Sequence, residues 1–204
     1  FEMANIREFS SWCHPSTPKE ATEKAKDLIR MSVAKSRLLQ SLQTIEVPVT
    51  NKALVVGGGI AGMNAALDLA EMGFKVYLLE KGESIGGHMA QLSKTYPTLD
   101  CSLCILSPKL ADVKSHPLIE LMTNSEVDTV DGSTGHYLLT VAQRPRYVNE
   151  DKCTGCGECA KVCPVEVPDE FEQGLVKRKA IYLPFPQAIP YAYAIDERNC
   201  TKCW

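Results

Sequence analysis

A run of closely spaced cysteines limits what this chain can fold into more than any other feature. Cys153, Cys156, Cys159 and Cys163 stand before Pro164 in the spacing C-x₂-C-x₂-C-x₃-C-P. Three such thiolates can cap three corners of an iron–sulfur cubane, and the fourth usually ligates a second cluster. A structural zinc site is the alternative, but four cysteines so close together before a proline are unusual for zinc. The run therefore predicts an iron–sulfur site built from soft thiolate ligands.

A second pair, Cys200 and Cys203, matches the start of another run of this kind. Residues 194–196 precede the pair as a strand-like lead-in. Together the two runs follow the pattern of a bacterial two-cluster ferredoxin, in which cysteines hold each [4Fe-4S] cluster. Each cluster has three ligands in this segment: Cys153, Cys156 and Cys159 for one, and Cys163, Cys200 and Cys203 for the other. We expect the remaining ligands beyond residue 204 rather than incomplete clusters.

Composition excludes several classes of protein. The 204 residues are 45% apolar and carry a net charge of −3, which suits one or two small domains and favours neither nucleic acid nor an anionic membrane. The cysteines concentrate near one end, unlike those of a secreted disulfide scaffold, so we expect a reducing, cytoplasmic compartment. No signal peptide or membrane span is expected. The ends of the chain suggest a piece of a longer polypeptide.

The first 49 residues are predicted to form an N-terminal segment with a linker helix. Thr17, Pro18 and Glu20 occupy the N-cap, N1 and N3 positions of a capping box. From there apolar residues recur at helical spacing up to about Gln43. The pattern is typical of an amphipathic packing helix.

A glycine-rich turn predicts a dinucleotide site. Gly57, Gly59 and Gly62 fit the spacing G-x-G-x-x-G between an apolar strand at 52–56 and a helix at about 61–72. The first glycine permits the tight turn, the second lets the backbone approach a pyrophosphate, and the third lets helix and strand pack closely. The pyrophosphate would then lie on the helix N-terminus, where unpaired N–H groups favour negative charge.

The next strand, predicted at 74–80, ends at Glu80, whose carboxylate can accept hydrogen bonds from a ribose diol. The pair Gly86 and Gly87 follows, and this order resembles the FAD domain of thioredoxin-reductase-like flavoproteins. We therefore expect FAD, with NAD(P) and a ligand-free turn as alternatives. His88 either approaches the cofactor or makes a local hydrogen bond. The predicted cofactor-binding residues are Gly57, Gly59, Ile60, Ala61, Gly62, Glu80, Lys81, Gly86, Gly87 and His88.

Two further features belong to the same part of the chain. Residues 126–131 and 136–142 are predicted as strands around a turn. Cys101 and Cys104 form another C-x₂-C pair, for which a redox disulfide, ligation of an extra cluster and plain burial all stay open. For Cys13 the default interpretation is burial or surface exposure, with a ligand role as the alternative.

These motifs together resemble the A-subunits of the heterodisulfide reductases. The resemblance rests on the N-terminal stretch from Phe1 to Glu8, the glycine fingerprint, Gly86-Gly87-His88-Met89, Leu99-Asp100-Cys101 and the stretch 179–190. It covers essentially the whole chain, and it extends to related subunits of other anaerobic reductase complexes. Cys13 departs from the family pattern.

The resemblance implies an α/β fold: a Rossmann-like FAD domain (50–148, its first half) with an inserted α+β ferredoxin-like two-cluster domain (149–204, cut short). It implies FAD and [4Fe-4S] clusters, and a flavin that splits electron pairs toward ferredoxin and a disulfide. The implied partners are ferredoxin, disulfide-reducing subunits, and a hydrogenase or formate dehydrogenase module. The expected metal ligands are Cys101, Cys104, Cys153, Cys156, Cys159, Cys163, Cys200 and Cys203.

Two rival functions remain at this level. A non-bifurcating FAD and iron–sulfur oxidoreductase would relay electrons between a nicotinamide or another donor and ferredoxin. A metal-stabilised scaffold would dock catalytic subunits without redox activity, an interpretation against which the cysteine run argues.

Overall fold

The computed structural model describes residues 1–203. The chain forms two compact units, Phe1–Glu46 and a second that begins at Val47. The domain bounds 1–49, 50–148 and 149–204 stay predictions, and residue 204 lies outside the described residues. Among residues 1–203, no helix has the length and apolar character needed to cross a membrane.

The first unit is a π-helical turn at Arg7–Ser11 followed by helix α1 at Pro18–Ser36. The buried Ser10 hydroxyl donates to the carbonyl of Ala21 at 2.5 Å and ties the turn to the helix. Thr17 is the N-cap, but its side chain makes no capping hydrogen bond within the described residues, so the capping box was wrong. Helix α1 ends at Ser36 rather than near Gln43. None of its described residues is buried, so packing does not extend it.

The second unit contains a parallel three-stranded sheet in the order β1-β2-β3. The strands are β1 at Lys52–Val56, β2 at Lys75–Leu79 and β3 at Ile119–Met122. Helix α2, Ile60–Glu71, connects β1 to β2, and helix α3, Ser102–Ser115, connects β2 to β3 after a 3₁₀ helix at Gly87–Gln91. Parallel neighbours require such crossovers. The predicted α/β class is confirmed.

The core of this unit lies between the sheet and helices α2 and α3. Met63 of α2, Leu78 of β2 and Leu106 of α3 are fully buried in it. Phe185 and Ala188, which come from the cysteine-rich end of the chain, complete the same cluster. Residues distant in sequence therefore share one hydrophobic core.

Strands β4, Ser125–Ser133, and β5, His136–Gln143, form an antiparallel hairpin close to the predicted positions. The cysteine-rich end has only short elements, in an α+β arrangement. They are α4 at Glu158–Val162, the antiparallel pair β6 (Glu166–Pro168) and β7 (Lys177–Lys179), and the antiparallel pair β8 (Ile181–Tyr182) and β9 (Ala194–Ile195).

Candidate functional site

The glycine fingerprint forms the turn between β1 and α2. Gly57 has φ of +102°, and its N–H donates to the carbonyl of Leu79 at 2.7 Å. A Cβ on Gly62 would overlap the Gly57 carbonyl oxygen, so helix and strand can meet only through glycine there. Apart from Gly59 and its two chain neighbours, no described residue has an atom within 4 Å of a Cβ added to Gly59, the N-cap of α2. The open face at this helix N-terminus fits an approaching phosphate.

Glu80 directly follows β2, and its carboxylate connects two loops through hydrogen bonds. Its Oε2 accepts from the N–H of Gly58 at 2.7 Å, and its Oε1 accepts from the N–H of Gly82 at 2.8 Å. A carboxylate has about four lone-pair sites, so both oxygens can still accept from a ribose. Lys81 is exposed, and its carbonyl accepts from Arg144 Nη2 at 2.6 Å.

The double glycine packs directly on the fingerprint turn. Gly86 and Gly87 have φ of +132° and +55°, a region that glycine adopts without strain. The Gly86 N–H donates to the carbonyl of Gly58 at 2.8 Å, and a Cβ on Gly87 would lie 3.1 Å from the Cα of Gly59. The structure therefore brings the two predicted glycine motifs together. His88 lies next to them, exposed on the 3₁₀ helix.

Residues that sequence reasoning did not assign to this site also line it. Phe185 lies against the double glycine, with its Cζ 3.1 Å from the position of a Gly86 Cβ. The Ile85 N–H donates to the carbonyl of Ile189 at 3.1 Å, and the Ile189 N–H donates to Ser84 Oγ at 2.8 Å. The only sequence signal was the apolar, proline-rich stretch that contains both Phe185 and Ile189. The cysteine-rich end therefore contacts the dinucleotide turn.

The first cysteine run forms a loop shaped by two glycines. Gly155 and Gly157 have φ of +70° and +81°. The Tyr191 ring lies against Gly155 so closely that a Cβ there would overlap it. Cys153 Sγ accepts from the N–H of Tyr193 at 3.4 Å. The loop is thus enclosed on one side by residues 191–193.

The thiols of this loop differ in their surroundings. A backbone hydrogen bond at Glu158 lowers the pKa of the Cys156 thiol, whereas burial raises the pKa of Cys159. Burial also opposes ionisation of Cys163, but backbone hydrogen bonds, the largest at Val165, outweigh it and lower the pKa. A lowered pKa favours the thiolate form that binds metal.

The spacing of the cysteines, and not their geometry, is what favours a cluster over zinc. Within residues 1–203, no group of three or more His, Cys, Asp or Glu side chains converges on one point. Four cysteines in the spacing C-x₂-C-x₂-C-x₃-C-P are typical of [4Fe-4S] ligation.

The second cysteine pair follows β9. The Cys200 N–H donates to the carbonyl of Asp196 at 2.9 Å, and the Asp196 N–H donates to the carbonyl of Ala180 at 2.8 Å. Cys163 Sγ donates to the carbonyl of Val165 at 3.8 Å, and the Ala180 N–H donates to the same carbonyl at 3.2 Å. Cys163 and Cys200 are therefore both anchored near the start of the β8–β9 ribbon. Cys203 is exposed, and its role as a ligand stays a prediction.

Cys101 and Cys104 lie at the N-terminus of α3, where both are exposed free thiols. Plain burial was therefore wrong for this pair. Cys101 Sγ accepts from the Cys104 N–H at 3.3 Å, and the hydrogen bond between the two thiols lowers the pKa of Cys101 and raises that of Cys104. A redox disulfide and cluster ligation stay predictions. Cys13 is exposed and donates to the Glu8 carbonyl at 3.1 Å.

A charged cavity of about 420 Å³ lies beside the loop that follows Glu80. In its wall Arg178 pairs with Asp196 at 3.0 Å and lies over the Tyr182 ring at 3.7 Å. Burial raises the pKa of Tyr182. Arg146 also lines the cavity and is buried. No sequence motif identified this arginine.

Two family models match parts of the chain. Residues 55–108 match an NAD(P)-binding Rossmann-like domain, and residues 146–169 match a 4Fe-4S binding domain. Both kinds of domain predicted from the sequence are therefore confirmed.

Curated relatives match nearly the whole chain. The iron–sulfur A-subunit 2 of the CoB–CoM heterodisulfide reductase of Methanopyrus kandleri is 63% identical over 96% of this chain and 30% of that protein. The A-subunit of the H₂:CoB–CoM heterodisulfide, ferredoxin reductase of Methanothermobacter marburgensis is 56% identical over 100% of this chain and 31% of that protein. The chain thus spans about a third of the length of these relatives. Among solved structures, thioredoxin reductase of T. acidophilum has a TM-score of 0.38 at 21% identity, over 44% of this chain and 30% of that one.

Proposed function

Because the chain belongs to the family of heterodisulfide reductase A-subunits, we propose that it is the flavin- and cluster-binding part of an electron-transfer protein. The contact between the dinucleotide turn and the cysteine-rich end carries this proposal. Phe185 lies on Gly86, and Ile189 hydrogen-bonds to Ile85 across the two regions. Electron transfer requires short distances between redox centres. Packing both regions on one core provides such proximity.

The residues of the dinucleotide turn hold and orient FAD in this proposal. The open N-terminus of α2 at Gly59 receives the pyrophosphate, and Glu80 receives the ribose. When bound, FAD exchanges electron pairs with a donor and single electrons with iron–sulfur clusters. Cys153, Cys156 and Cys159 hold one cluster, and Cys163 joins Cys200 and Cys203 at a second. The remaining ligands come from elsewhere in the protein.

The experiment for this electron path uses the full-length protein in its complex under anaerobic conditions. The bound flavin is photoreduced with an excess of a sacrificial electron donor such as oxalate, and the clusters are followed by freeze-quench EPR spectroscopy. We expect reduced-cluster signals to grow after the flavin absorbance has bleached. Bleached flavin with clusters that stay oxidised would contradict the proposal. Zinc in place of iron would instead favour a docking scaffold.

We further propose that the complex couples two acceptors, ferredoxin and a disulfide. The name of the M. marburgensis relative, which includes a heterodisulfide and ferredoxin, supports this. Partner subunits would then supply disulfide reduction and a hydrogenase or formate dehydrogenase module. Ferredoxin reduction that requires the disulfide supports coupling. Ferredoxin reduction at the same rate without the disulfide favours the simple relay.

A further inference from the structure

Arg146 connects the region around the dinucleotide turn to the region around the loop that carries Cys153. Its side chain is 5% exposed, and its Nε donates to Glu150 Oε1 at 2.8 Å. On the dinucleotide side, Nη2 donates to the carbonyl of Glu83 and to Thr123 Oγ1. On the cysteine-rich side, Nη1 donates to the carbonyl of Ala192 at 3.2 Å. Contacts in several directions fix the orientation of the guanidinium.

The carbonyl that Arg146 contacts belongs to the peptide group between Ala192 and Tyr193. The N–H of this same peptide group donates to Cys153 Sγ at 3.4 Å. Arg146 therefore acts on one end of a peptide group whose other end faces a predicted cluster ligand. The link runs from the guanidinium through one planar unit to the sulfur.

Two physical effects of this link have the same sign. A cation at the carbonyl oxygen polarises the peptide group, and linked hydrogen bonds strengthen one another. A stronger hydrogen bond to a cluster sulfur stabilises the reduced, more negative cluster and raises its reduction potential. Glu150 offsets part of the cationic charge, but its own side chain is 44% exposed, so solvent screens this offset.

We propose that Arg146 is a positioning residue that raises the reduction potential of the cluster held by Cys153, acting through the Ala192–Tyr193 peptide group. This inference rests on the proposed function, because it requires an iron–sulfur cluster at Cys153. It adds a specific determinant of potential that the cysteine motif alone does not contain.

The test is an EPR-monitored redox titration of the full-length protein in its complex, with each cluster signal followed separately. Arg146→Gln is expected to shift the reduction equilibrium of one cluster up to about tenfold toward the oxidised form, equivalent to about 59 mV for one electron. Arg146→Lys keeps the charge and is expected to shift it less. Arg144→Gln is the matched control, since Arg144 is exposed and contacts Lys81 rather than the Ala192 peptide.

A spectroscopic measurement isolates the hydrogen bond itself. In D₂O, the Fe–S stretching bands of the wild type are expected to shift in resonance Raman spectra, and less so in Arg146→Gln. Unchanged potentials in an Arg146→Gln variant with full iron and sulfide would overturn the inference while the proposed function stands. Absence of iron and sulfide from the wild type would overturn the proposed function. If Arg146→Gln fails to assemble clusters, Glu150→Gln decides, because it removes the carboxylate that offsets the guanidinium charge. An upward shift in the potential of that cluster supports the inference, and no shift overturns it.

Discussion

The two halves of the second unit are stabilised by different means. The sheet β1-β2-β3 and helices α2 and α3 bury a continuous apolar core. The cysteine-rich end has strands of two or three residues, and helix α4 buries none of its residues. Phe185 and Ala188 of this end dock into the neighbouring core. We therefore expect the order of the cysteine-rich end to depend also on metal ligation, and that of the sheet and its helices mainly on apolar burial.

Of all the changes considered, removal of iron should produce the largest difference in amide protection between the two halves. Anaerobic chelation of the full-length protein should abolish amide protection across the cysteine loop and β9, because metal binding supplies much of their folding free energy. Strands β1 to β3 should keep theirs. Hydrogen exchange with mass spectrometry measures both regions in one sample. Equal loss of protection in both halves would contradict the comparison.

Truncation of the apolar core tests the half that contains the sheet. Leu78→Ala removes a fully buried side chain of β2 and should lower the free energy of unfolding by about 2–5 kcal/mol. Leu138→Ala is the control, since Leu138 on β5 is 71% exposed. Chemical denaturation of both variants measures the difference. Similar losses in the two variants would show that burial in this core is not the cause.

The glycine fingerprint allows fold and cofactor binding to be separated. Gly62→Ala should lower the free energy of unfolding by about 1–3 kcal/mol, because the added methyl overlaps the Gly57 carbonyl. Gly59→Ala enters open space among the described residues, so it should affect stability less while weakening FAD retention. Denaturation and flavin content distinguish the two variants. Tight flavin binding by Gly59→Ala would contradict the assigned phosphate position.

The weakest effect concerns the Arg178–Asp196 pair at the base of the β8–β9 ribbon. Burial opposes ionisation of Asp196, but hydrogen bonds from Asn199 and Arg178 outweigh it and lower its pKa. Its contribution is present above the unfolded-state pKa of about 3.9 and is lost as pH falls through the lower folded-state pKa. Asp196→Asn should therefore flatten the rise of Tm with pH in this acidic range. Cluster loss in acid is common to both proteins, so the comparison with wild type isolates the carboxylate. Parallel Tm curves would contradict the pairing.

Local sequence patterns predicted β1, α2 and β2 but not α3 or β3. Strand β1 occupies the predicted residues 52–56, and α2 begins at Ile60, close to the predicted Ala61. Both follow from glycine spacing and apolar periodicity, which act over a few residues. The end of α1 was wrong because exposed leucines such as Leu38 continue a helical pattern without any packing to support it.

Such local patterns could not predict the contacts between the two halves. Ser84 and Ile189 are 105 positions apart, and neither residue type indicates the other as a partner. Arg146 has no motif around it, and its role emerges only when Glu83, Thr123 and Ala192 surround it. The cysteine spacing indicates which residues are candidate ligands, and their ligation stays a prediction. The fold was needed to show what lies against them.

The content of iron, acid-labile sulfide and flavin per chain tests most directly whether this protein holds the flavin and iron–sulfur clusters that the proposed electron transfer requires. The measurement requires the full-length native protein, purified anaerobically. We predict stoichiometric flavin with about eight or more irons and matching sulfide, as required by FAD and at least two [4Fe-4S] clusters. Zinc without sulfide, or the absence of flavin, would contradict this prediction.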